Sequence, residues 1–123
     1  MLDRPDAAHL LRAMAKTLSE EVMPTTNGPA RHAVRVVANL CQILEREIAL
    51  GAAGAERTRE DLAALLGMDA ALPALVAELD RALGADVATT TDDDTRRFEA
   101  RAREVILADV VRRLAIDRPG YDA

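Results

Sequence analysis

Arg35, Asn39, Gln42 and Arg46 recur at spacings of four, three and four, so a helix through this segment gathers them into one narrow polar stripe. Two guanidiniums flanking two amides offer planar sets of donors matched to carboxylate or phosphate oxygens. The competing reading is a solvated face, or arginines paired with acids of a neighbouring helix. Glu47 lies at helical spacing from Val36, Leu40 and Ile43, on the flank of an apolar face. Partial burial there would raise a carboxylate's pKa and suit it to proton transfer, although an ion pair with an arginine next door satisfies the same position. Arg35, Asn39, Gln42, Arg46 and Glu47 are therefore the candidate ligand-binding residues. To act as a binder or enzyme they must converge on a concave pocket.

Other chemistry finds no foothold. His9 and His32 are the only histidines and Cys41 the only cysteine; with no HExxH and no Glu-x-x-His, neither a zinc nor a di-iron carboxylate site is expected. GxGxxG, the P-loop and GxSxG are all absent, so no cofactor, nucleotide or catalytic residue is assigned. Arg4 and His9 have the Arg-x4-His spacing of some helical RNases, but the pattern around His9 makes it a surface residue. The segment 58–83 has Ala63 and Gly67 at a helix-turn-helix spacing. Its second helix carries Asp69, Glu78 and Asp80 against Arg81 alone, a balance that duplex DNA repels.

The elements that must carry these residues are helices throughout. Apolar residues Ala7, Leu11, Met14, Leu18 and Val22 predict a first helix from Pro5 to about Met23, with Asp3 as its cap and Pro24 as its stop. After the turn TTNGP, a second helix spans 30–50. Its face of Ala33, Val37, Leu40, Cys41, Leu44 and Ile48 belongs in the core, and Gly51 ends it. GAAGAE at 51–56 reads as a flexible connection, Thr58 as the cap of a short helix over 59–66, and Gly67 as its stop. A fourth helix follows Asp69 and runs to Gly84. Residues 85–94 show no helical pattern, and a last helix runs from 93 to 116. No period-two alternation appears anywhere. The class is all-α, a bundle of about five helices, three of them long and two forming a short hairpin.

The last helix has two neighbouring apolar stripes, Phe98, Ala102 and Val105, then Leu107, Val110, Val111 and Leu114, with Ile106 between them. So wide an arc needs neighbours on more than one side, and a homodimer through this helix is expected. The chain has 123 residues, half of them hydrophobic, and is expected to form a single domain over 1–123. The net charge is −5 and Lys16 is the sole lysine, which argues against nucleic acid and anionic membrane as partners. There is no secretory h-region, no span of about 18 apolar residues and no possible intrachain disulfide. A cytoplasmic location is expected, with Cys41 a buried thiol.

RPDAAHLLRAM at 4–14, EEVMP at 20–24 and RHAVRVVANLCQILEREIALG at 31–51 resemble a small uncharacterised bacterial all-helical family, classed as a domain of unknown function. Members are encoded near aminoglycoside-phosphotransferase-like kinases and acyl-CoA dehydrogenases. After Gly84 the family favours a basic, Gly-containing segment, where this chain has ADVATTTDDD. The resemblance implies a non-enzymatic accessory or interaction module, with a kinase-like or acyl-CoA dehydrogenase partner. The alternative is a small anionic-ligand binder or enzyme that uses the polar stripe.

Overall fold

The computed structural model describes residues 6–85 and 93–121, and helix is the only regular structure among them. Asp3, Arg4, Pro5 and most of the expected 85–94 connection lie outside these residues. Four α-helices occur among the described residues: α1 (Ala7–Thr17), α2 (Gly28–Leu66), α3 (Leu72–Ala85) and α4 (Asp93–Asp117). The all-α class stands, with four helices where about five were expected. The difference is that the expected second and third helices are one helix of 39 residues. Gly51 and Gly54 each cost a helix interior about 1 kcal/mol relative to alanine. Between and beside them stand Ala52, Ala53 and Ala55, the strongest helix formers, and neither glycine has a positive φ. Gly51 is thus no stop and Thr58 no cap. Gly67 is the stop: its φ of +66° lets Met68 N–H donate to Ala63 O at 3.2 Å, closing the helix end.

The chain divides into two compact units, residues 1–52 and 53–123. In the first, Asp6 caps α1 by accepting from His9 N–H at 2.8 Å. That backbone hydrogen bond, with the His9 ring beside it, holds the Asp6 carboxyl below the usual aspartate range. Past Thr17 the winding loosens into a π-helical turn, Leu18–Val22, then tightens into a 3-10 turn, Met23–Thr25. Pro24 has no N–H to continue an α-ladder. Thr25 Oγ1 donates to Val22 O and Thr26 Oγ1 to Met23 O, so the freed carbonyls find partners.

The core of this unit lies where the sequence pattern does not put it. Ala15, Ala38 and Cys41 are buried, while Val37, Leu40, Leu44 and Ile48 of the expected core face stay about half exposed. Cys41 alone of that face's larger side chains is inside. The line through Val34, Ala38, Cys41 and Glu45 is buried or half-buried throughout. The small side chains at its middle, Ala38 and Cys41, allow closer approach than the leucine line beside it. Helix α1 packs there, and its Arg12 reaches Glu45, one turn beyond Cys41.

In the second unit Leu62, Leu65, Leu75, Leu79 and Ala102 form the core, with Leu72, Leu83, Phe98 and Val105 packed against it. Phe98, Ala102 and Val105, the first expected stripe of α4, thus face α2 and α3. Of the second stripe, Leu107, Val110 and Val111 are, with Ile106 beside them, 44–56% exposed, while Leu114 is half-buried.

Candidate functional site

The polar stripe forms on α2 as its spacing requires. Arg35 and Asn39 are exposed, Arg46 is half-buried, and Gln42, also exposed, lines a concavity of about 260 Å³ against α1. The other lining residues are Arg12, Ala15, Lys16, Ser19, Glu20 and Glu45. Glu47 is half-buried and turns along its own helix, so that a Cβ built on Gly51 would meet its Oε1 at 2.7 Å.

Within the concavity Arg12 is already committed. Its Nη2 lies 2.6 Å from Glu45 Oε1 and its Nε donates to the same oxygen at 2.8 Å. Lys16 and Glu20 complete a lining with two cations and two carboxylates, so an entering anion meets no net positive field. Arg12 and Lys16 of α1 are spaced as a polar face in the sequence, and Ser19 and Glu20 follow in the π-helical turn beyond it. That Gln42 and Glu45 stand opposite them depends on which line of α2 packs against α1, and the sequence pattern favours the wrong line.

A second polar cluster was read only as a helix start. Thr58 is 6% exposed and donates to Asp109 Oδ1 at 2.7 Å. Arg112 Nη2 donates to Thr58 Oγ1 at 3.1 Å and to Asp61 Oδ2 at 2.9 Å. Gly54 leaves room for the Arg112 stem, whose Cδ would sit 3.9 Å from a Cβ there. Arg112 Nε is buried without a partner. The signal in the sequence was Asp109 and Arg112 interrupting the apolar arc of α4, three residues apart. With Thr58 shut away from solvent, the cluster orients α2 against α4 rather than presenting a nucleophile.

Between α3 and α4 a further concavity of about 280 Å³ is lined by Leu83, Glu99, Ala102, Arg103 and Ile106. It opens beside the exposed α4 stripe. Among the described residues no group of three or more His, Cys, Asp or Glu side chains could hold a metal ion, and no helix is long and apolar enough to cross a membrane.

No curated protein and no solved structure gives a significant match to the chain. Residues 24–121, from Pro24 through all of α4 and beyond, match a family described as a domain of unknown function, DUF6285. The chain belongs to that family.

Proposed function

We propose that this protein is a non-enzymatic accessory module that works by docking a partner protein on α4. The observation that carries the reading is the outward stripe Ile106, Leu107, Val110 and Val111, next to a concavity that Leu83 and Ile106 line. Contiguous apolar surface rimmed by polar residues is the usual mark of a protein-binding face. An apolar side chain from the partner fills the concavity, and Glu99 and Arg103 at its rim set orientation. On the strength of the family resemblance the partner is a kinase-like or acyl-CoA dehydrogenase enzyme, met in the cytoplasm.

The experiment is a pull-down of the natively expressed full chain beside its Val111→Glu variant. An enzyme of either class retained by the parent and lost from the variant is the expected result. Equal retention by both overturns the α4 assignment. Recovery of a small anion in place of a protein would favour the alternative, a ligand held by the polar stripe of α2, Arg35, Asn39, Gln42 and Arg46 with Glu47.

A further inference from the structure

The hollow between α1 and α2 is lined by Arg12, Ala15, Lys16, Ser19, Glu20, Gln42 and Glu45. Arg12 and Glu45 satisfy each other, Nη2 and Nε both reaching one carboxylate oxygen at 2.6 and 2.8 Å. Among the described residues, no side-chain hydrogen bond or ion pair engages Lys16, Ser19, Glu20 or Gln42. Lys16 and Glu20 have the four-residue spacing of helical ion pairs, yet they are not paired and both line the hollow. One ammonium, one carboxylate, one hydroxyl and one carboxamide are therefore left open around a single concavity.

We propose that this concavity binds a free α-amino acid with a neutral polar side chain, its carboxylate on Lys16 and its ammonium on Glu20. The inference is independent of docking on α4 and gives the accessory module a small molecule to respond to. Charge selects the class. Once Arg12 and Glu45 cancel, a simple anion is drawn by Lys16 and repelled by Glu20, and a simple amine meets the reverse. Only a molecule carrying both charges close together satisfies both residues, and a net-neutral one leaves no charge over. Hydrogen bonds to charged groups at both ends are the strong kind.

The rest of the lining selects among amino acids. Ser19 and Gln42 remain once the two charges are met, and a carboxamide both donates and accepts. A hydroxyl or carboxamide side chain pairs with them, where an acidic or basic one would bring an unbalanced charge. Buried Ala15 puts no bulk into the hollow. Its volume of about 260 Å³ lies just under the roughly 300–1,000 Å³ of pockets for drug-sized ligands, which suits one amino acid and not a peptide. The backbone supplies a second observation. Ser19 and Glu20 come from the π-helical turn Leu18–Val22, and single π-helical turns are rare and recur at functional sites.

The test follows the Gln42 side-chain amide and the Ser19 backbone amide by NMR while the full chain is titrated to millimolar levels with L-serine, L-threonine, L-asparagine and L-glutamine in turn. Saturable shifts with at least one of the four are expected, with only linear drift for acetate and for methylamine, which carry one charge each. The N-acetyl derivative of the best binder, which lacks the ammonium, and its C-terminal amide, which lacks the carboxylate, should each bind about tenfold more weakly or worse. Lys16→Gln and Glu20→Gln should each weaken the parent amino acid to the same degree, with unchanged helical spectra because both side chains are exposed. Linear drift with all four amino acids overturns the proposal. So does saturation by acetate at the same strength as the amino acid, or binding that both variants retain. None of these outcomes touches the α4 pull-down, which reads a protein partner.

Discussion

Thr58 donates its hydroxyl hydrogen to Asp109 Oδ1 across 2.7 Å, while its Oγ1 accepts from Arg112 Nη2 at 3.1 Å. One buried hydroxyl thus serves two residues of α4 at once. Thr58→Val keeps the shape and removes both bonds, leaving a carboxylate and a guanidinium each one partner short in a half-buried setting. Unmatched buried polar groups cost about 1–3 kcal/mol, so a loss of stability of that size, read from the denaturation midpoint, is expected, with Thr58→Ser recovering most of it. An unchanged midpoint for Thr58→Val would show that water replaces the hydroxyl without loss.

Gly54 and Gly67 should respond in opposite senses to alanine. Gly54 sits inside α2 with ordinary backbone angles, and the nearest atoms to an added Cβ are Arg112 Cδ and Cβ at 3.9 and 4.0 Å. Gly54→Ala therefore gains about 0.5–1 kcal/mol of helix propensity without a clash. Gly67 has a φ of +66°, which an alanine adopts only under strain, so Gly67→Ala loses about 1 kcal/mol or more. Thermal melts of the two variants should move in opposite directions, and movement in the same direction would falsify this account of α2.

These two glycines also show where the sequence was legible and where it was not. Gly67 precedes a break in the apolar pattern and was readable as a stop. Gly51 and Gly54 resemble punctuation in isolation, and only the weight of the neighbouring alanines, together with packing along α2, carries the helix through. The α3 and α4 boundaries followed from periodicity and fell within a residue or two. The stripe from Arg35 to Arg46 was correctly placed on a helix, but spacing alone does not say what lies opposite a stripe. The choice of packing line on α2 went to Ala38 and Cys41 because closeness of approach outweighed side-chain size, a decision made between helices and therefore invisible along one of them.

Only acid strong enough to protonate Asp6 should loosen the start of α1. The folded-state pKa of Asp6 is lowered, chiefly by the His9 backbone N–H. Its contribution to stability is therefore complete above the ordinary aspartate range and disappears as pH falls through the lower folded value. The His9 amide signal followed by NMR from neutral to strongly acidic pH should titrate with a midpoint below that of an unstructured aspartate. Asp6→Asn keeps an accepting oxygen without a titrating charge, and in it the same signal should be flat. A midpoint at the ordinary aspartate value would mean that the cap does not favour the carboxylate.

Anion binding at the α2 stripe is expected to be absent, and its absence should not depend on the arginines being intact. Arg35 is exposed, Arg12 is held by Glu45 Oε1 at 2.6 Å, and the Gln42 concavity balances Arg12 and Lys16 against Glu20 and Glu45. A phosphate or carboxylate entering there meets as much repulsion as attraction, and exposed ion pairs of this kind contribute only about 0–1 kcal/mol. Titration of the full chain with inorganic phosphate and with acetate, followed through the arginine side-chain and Gln42 amide signals, should give small linear drifts. The Arg35→Ala, Arg46→Ala double variant should drift alike. Saturable shifts at Gln42 that vanish in Lys16→Ala would reinstate an anion site between α1 and α2, and saturable shifts that vanish in the double variant would reinstate the stripe.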